Sequence, residues 1–133
     1  MPARYSAFVL TEDSRNSLLT YLKKCGIDIN QEWETIAHHC TINMGGIDSE
    51  LRGMLGYEYE LEITSTGILD DKVLAVKVNK FTQAGRISKN ITPHITISVN
   101  RESGGKPVMS NQIDKWEDLP KPIIIKSILT EIQ

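Results

Sequence analysis

Residues 91–99, Ile91-Thr92-Pro93-His94-Ile95-Thr96-Ile97-Ser98-Val99, alternate apolar and polar with a period of two. That period belongs to a half-buried strand. It sets His94, Thr96 and Ser98 on one face and Ile95, Ile97 and Val99 on the other. Pro93 stands at the entry, where a strand tolerates proline. A second stretch repeats the pattern. Ala37-His38-His39-Cys40-Thr41-Ile42-Asn43 places His39, Thr41 and Asn43 on one face, with His38, Cys40 and Ile42 opposite. The chain has three histidines, and two of them, 55 residues apart (94 − 39), open a His-x-Thr-Ile unit.

The 133 residues are read as one domain, spanning 1–133 and long enough to bury a single core. Apolar residues are 40% and charged residues 24%, which excludes a disordered chain. No run approaches the roughly 18 apolar residues of a membrane span. Met-Pro-Ala-Arg-Tyr-Ser at the start has no long apolar region, so no signal peptide is expected. Cys25 and Cys40 are not in a Cys-x-x-Cys spacing, so free thiols and a cytoplasmic location are expected. A net charge of −2 argues against an extended grip on a nucleic-acid backbone, which needs many Lys and Arg. It leaves room for a small anion held by a few donors.

Tyr5 to Leu10 reads as a buried strand. Leu18, Leu19 and Leu22 sit at helical spacing between Ser14 and Lys24, with Thr11 and Ser14 as caps at the start. Lys23 and Lys24 suit the last turn and Gly26 its end. The first His-x-Thr strand is expected from about Thr35 to Asn43, and a short helix capped by Asp48 after Gly45-Gly46. Tyr57 to Thr64 alternates strictly, with glutamates on its wet face. Thr66-Gly67 and Asp70-Asp71 read as turns, and Val73 to Val78 as the strand that completes a hairpin. Lys80 to Lys89 is a short helix or a loop. Arg101 to Pro107 is the most loop-like stretch, Ser110 caps a helical turn, and Pro120 and Pro122 bracket the entry to a last strand, Ile123 to Ile132. The expected class is α+β, mostly antiparallel sheet with few helices.

An imidazole exchanges protons near neutral pH, with an unperturbed pKa of about 6.5. Two histidines facing one cleft divide the work: one takes a proton from a nucleophile, the other protonates the leaving oxygen. Hydroxyls two residues along each strand are placed to donate to non-bridging phosphate oxygens. His39, His94, Thr41 and Thr96 are thus candidate catalytic residues for phosphodiester chemistry with no metal and no cofactor.

His39-Cys40-Thr41-Ile42 and His94-Ile95-Thr96-Ile97 resemble the two His-x-Thr/Ser-x motifs of the 2H phosphoesterases, in which x is usually apolar. The chain more closely resembles the phosphodiesterase domain of fungal-type tRNA ligases and its small stand-alone relatives. That likeness rests on Tyr5 through Leu22, Ala37 through Thr41, Pro93 through Ile97, Gly105-Lys106-Pro107-Val108 and Ser110-Asn111. The resemblance implies a two-lobed α+β fold with one His-x-Thr strand from each lobe lining a central cleft. It implies hydrolysis or transfer at a cyclic phosphate or a 2′,5′-linkage, on an RNA end, a nucleotide, ADP-ribose 1″,2″-cyclic phosphate or a cyclic oligonucleotide. His39 and His94 become the acid/base pair, with their order open, and Thr41 and Thr96 hold the phosphate.

Three further residues are candidates for contact with substrate. Arg101 and Lys106 lie in the loop leaving the second motif strand, and Tyr57 could stack on a base. His38 is expected to point away from His39 in a structural role. A module that binds a nucleotide or RNA terminus without turnover is the main alternative. A zinc site of His38, His39, Cys40 and His94 is disfavoured, because adjacent strand residues face opposite ways. The glutamate face of the Tyr57 strand favours a monomer.

Overall fold

The computed structural model describes residues 4–82 and 92–133. The apolar and polar alternation does produce strands. They are β1 (Tyr5–Leu10), β2 (Glu34–Thr35), β3 (His39–Met44), β4 (Glu58–Leu69), β5 (Val73–Thr82), β6 (His94–Val99) and β7 (Glu117–Ile132). One α-helix, α1 (Glu12–Lys24), and three 3-10 helices (Ser49–Met54, Arg101–Ser103 and Pro107–Gln112) complete the described residues. Ile91 and the part of the Lys80–Lys89 segment beyond Thr82 lie outside them; Lys80 to Thr82 continue β5.

Every strand pairing among the described residues is antiparallel. The sheet runs β2-β6-β3-β1-β7-β4-β5, and β5 pairs back onto β6. That last pairing closes β6, β3, β1, β7, β4 and β5 into a barrel, which leaves no open edge along the ring. β2 pairs with another part of β6. The antiparallel, helix-poor architecture matches the expected class, and the strands form one closed ring with an added strand. Both motif strands stand side by side in one ring, paired at Cys40↔Ile95.

The core is filled from the inward faces: Phe8, Cys40, Leu61, Ile63, Leu74, Val76, Ile95, Ile97, Ile125 and Leu129 are all buried. Helix α1 adds Leu18 and Leu22 to the same cluster. Burying a leucine of this kind contributes about 1.5–3 kcal/mol. Thr11 caps the helix by accepting from the Ser14 N–H at 3.2 Å, and Gly26, at φ +81°, follows the last turn. Ser14 Oγ in turn accepts from the Lys126 N–H at 2.7 Å, which ties the helix to β7.

Two strands run further than their punctuation suggested. β4 passes through Thr66-Gly67 and turns only after Leu69. Gly67 is there for close packing: a Cβ would lie 2.6 Å from Ile113 and 2.9 Å from Trp116. β7 begins at Glu117 and contains Pro120 and Pro122. Its register against β4 jumps from Ile63↔Ile123 to Ser65↔Asp118, so the prolines occupy an irregularity where no ladder donor is required.

Candidate active site

The two motif strands share more than four letters. β3 pairs with β1 as Phe8↔Cys40 and Ala7↔Thr41, then slips to Ser6↔Asn43 and Tyr5↔Met44. β6 pairs with β5 as Val76↔Ile95 and Ala75↔Thr96, then slips to Leu74↔Ser98 and Val73↔Val99. In each case the isoleucine after the threonine, Ile42 or Ile97, is the extra residue of a β-bulge. Each threonine also faces a fully buried alanine, Ala7 or Ala75. The internal repeat is thus one of backbone geometry and packing as well as of residue type.

The bulges turn over the residues on their C-terminal side, because directly paired residues share a face. Ser98 was expected beside His94 and Thr96. It pairs instead with the core residue Leu74, and its hydroxyl is buried with no hydrogen-bond partner. Val99 turns outward to join Val73, Ala75 and Ile113 in a second apolar cluster. Asn43 likewise leaves the His39 face, and Met44 takes its place.

His39, Thr41, His94 and Thr96 line one cavity of about 370 Å³, on the side of the β3–β6 pair opposite Cys40 and Ile95. Tyr5, Met44, Pro107, Val108 and Asn111 form its walls. Met44 and Val108 are exposed and give the mouth apolar edges. Tyr5 lies against His39 with ring centroids 4.9 Å apart and planes tilted by 34°. None of these wall residues was singled out as a site residue from the sequence. The only signal was the run Lys106 to Asn111 after the Gly104-Gly105 turn, which brings the 3-10 helix Pro107–Gln112 back over β6.

The four polar groups differ in their surroundings. His94 Nδ1 lies 2.9 Å from the Thr92 carbonyl. A carbonyl only accepts, so Nδ1 carries a hydrogen and the lone pair of the neutral ring is on Nε2. Burial lowers the His94 pKa, and the bond to Thr92 partly offsets this. His39 is held down to about 4, first by burial and then by the charges of His38 and His94. Thr96 Oγ1 sits 2.8 Å from the buried Ser110 Oγ and 3.3 Å from the Pro107 carbonyl.

His38 departs from its expected place. The strand starts only at His39, after Ala37 at φ +43°, so strict alternation does not apply at His38. Its exposed ring turns toward its neighbour, with Nδ1 2.9 Å from His39 Nδ1. Arg101, Lys106 and Tyr57 do not line the cavity. Arg101 is paired with Glu34 at 2.9 Å, Lys106 is exposed just before the 3-10 helix, and Tyr57 is exposed before β4. Cys40 faces the core, where burial pushes its thiol up to about 12. Among the described residues no three His, Cys, Asp or Glu side chains are grouped to hold a metal ion.

No protein-family model and no curated protein matches the chain. No helix among the described residues is long and apolar enough to cross a membrane.

Proposed function

We propose that this chain is a metal-independent phosphodiesterase of the 2H type that opens a 2′,3′-cyclic phosphate on a nucleotide or RNA end. The observation that carries this reading is the convergence of two His-x-Thr units, each bulged at the same position, on one cavity. The matched bulges and alanines also support reading the barrel as two related halves, with one motif strand from each.

The hydrogen-bond partners favour a division of labour. His94, with its hydrogen on Nδ1, has Nε2 available to take a proton from the attacking water, and the Thr92 carbonyl favours the imidazolium that forms. His39, engaged through Nδ1 by His38, has Nε2 left to protonate the leaving 2′- or 3′-oxygen. Thr41 and Thr96 donate to the non-bridging oxygens. An anion in the cavity raises both imidazole pKa values, since opposite charge favours the protonated ring.

Turnover is tested on a panel of 2′,3′-cyclic mononucleotides, cyclic-phosphate-ended RNA, 2′,5′-linked oligonucleotides and cyclic dinucleotides, with EDTA present. His39→Ala and His94→Ala are each expected to lower kcat by about 10²–10⁴. Full activity in either variant overturns the reading, and loss in EDTA with recovery on zinc overturns the metal-free mechanism. A stoichiometric complex with unchanged ligand makes the cavity a receptor.

A further inference from the structure

A general acid buried in a cavity wall has a difficulty. His39 must hold an extra proton to give one away, yet its burial, with His38 beside it and His94 across the cavity, opposes a charge on the ring. Tyr5 on β1 stacks against the same ring, with Arg4 next to Tyr5. His38 offers the way out. It is exposed, its ring stands at 79° to that of His39, and the two Nδ1 atoms are 2.9 Å apart. At that distance one nitrogen donates and the other accepts, so the pair shares one hydrogen.

We infer that His38 is a positioning residue that carries the dyad's charge in solvent and passes a proton through Nδ1 to His39 as His39 protonates the leaving oxygen. This rests on the phosphodiesterase reading above. Before the step, His38 is an imidazolium whose Nδ1–H donates to His39 Nδ1, and His39 is neutral with its hydrogen on Nε2. Water attacks phosphorus and gives one proton to His94, and the bond from phosphorus to the leaving oxygen breaks. That oxygen takes the Nε2 proton of His39, and His39 takes the Nδ1 proton of His38. The dyad goes from one positive charge to none, His94 from none to one, and both rings of the dyad end neutral. His39 therefore acts as an acid without being charged itself. The reverse shift and proton exchange with solvent reset the site.

The test uses the full chain and the conservative variant His38→Gln, which can donate a hydrogen bond to His39 Nδ1 but cannot carry or transfer the proton. Its fold is checked by thermal melting. Two probes are compared: uridine 2′,3′-cyclic phosphate, and its analogues with sulfur at the bridging 2′ or 3′ position. A thiolate leaves without being protonated. H38Q is expected to lower kcat about 10²-fold on the oxygen ester and less than about tenfold on the matching sulfur ester. In ¹⁵N-histidine spectra of the wild type, the hydrogen between the two rings is expected on His38 Nδ1, with His39 carrying its hydrogen on Nε2. Equal losses on both esters, no loss on the oxygen ester, or a shared hydrogen resting on His39 Nδ1 overturns the relay. In those cases the wild type still turns over both esters. A wild type that turns over neither removes the phosphodiesterase reading itself, and the relay with it.

Discussion

Thr96 Oγ1 and Ser110 Oγ lie 2.8 Å apart, joining β6 to the 3-10 helix that covers it. Thr96 has a second neighbour, the Pro107 carbonyl at 3.3 Å, which can accept its hydrogen. A phosphate oxygen can replace that carbonyl as acceptor while Ser110 continues to donate to Thr96. A donated bond polarises the hydroxyl that receives it and strengthens its own donation.

Ser110→Ala is therefore expected to raise KM for a cyclic phosphate about fivefold, the equivalent of about 1 kcal/mol for one hydrogen bond. kcat should change less, because neither proton transfer runs through Ser110. Steady-state kinetics at fixed pH separate the two. An unchanged KM would mean that Thr96 does not hold the phosphate.

Acidification should weaken the fold in a window to which His39 contributes. In the folded chain this ring stays neutral down to about 4, while in the unfolded chain an imidazole is protonated near 6.5. Between these values the unfolded state binds more protons, so stability rises with pH across the window. The contribution is complete above about pH 6.5 and is lost as pH falls toward 4. The fall from 6.5 to about 4, discounted for the ring's partial exposure, is worth on the order of 2–3 kcal/mol. Urea unfolding of wild type and His39→Gln at several pH values should show a steeper slope in the wild type, because His94, also lowered by burial, contributes a slope of the same sign to both proteins. Glu131, held low by the Ile47 amide and Arg52, and Glu34, held low by Arg101, weaken both proteins alike at still lower pH.

Much of this site was legible in its residues, and the rest was hidden for identifiable reasons. Strands, their polar faces and the pairing of His39 with His94 follow from period-two alternation, which depends only on neighbours in the chain. The bulges at Ile42 and Ile97 left no such mark, because an isoleucine fits the alternation whether or not the partner strand skips it. Ser98 and Asn43 consequently leave the faces that alternation assigns them, and Met44 joins the cavity wall with no signal in the pattern. His38 departs from alternation because Ala37 before it has a positive φ, which an alanine does not announce. Gly67 read as a turn because close packing against Trp116 also requires glycine. The partner of Arg101, Glu34, lies 67 residues away in sequence, where no local pattern points to it.

The loop behind Ser110 depends on Gly105. A Cβ there would lie 2.2 Å from the Lys72 carbonyl oxygen and 2.7 Å from that of Asn100, and neither backbone atom can move aside cheaply. Gly105→Ala is expected to destabilise the protein by about 2 kcal/mol and to lower activity by shifting the 3-10 helix off Thr96. Gly104→Ala meets nothing within 4 Å but sits at φ +86°, so it should cost about 1 kcal/mol from backbone strain. Denaturant unfolding and kinetics of the two variants distinguish contact from conformation. Equal effects on activity would show that the close approach of Gly105 does not position the site.

Cys40 reports directly on the β3–β6 pairing. It faces Ile95 across the strands, with its side chain buried in the core and its thiol pushed up to about 12. A thiol needs both access and its thiolate form to react. In the native protein a thiol reagent should therefore modify the partly exposed Cys25 at once and Cys40 only through opening of the barrel. When reclosing is faster than modification, the Cys40 rate tracks the free energy of that opening. A ligand bound between His39 and His94 bridges the same two strands and should slow Cys40 modification further, by the factor 1 + [L]/Kd, while leaving Cys25 unaffected. Labelling time courses followed by mass spectrometry, with and without a cyclic mononucleotide, measure both rates. Equal slowing at the two cysteines, or none at Cys40, would place the ligand away from the paired motif strands.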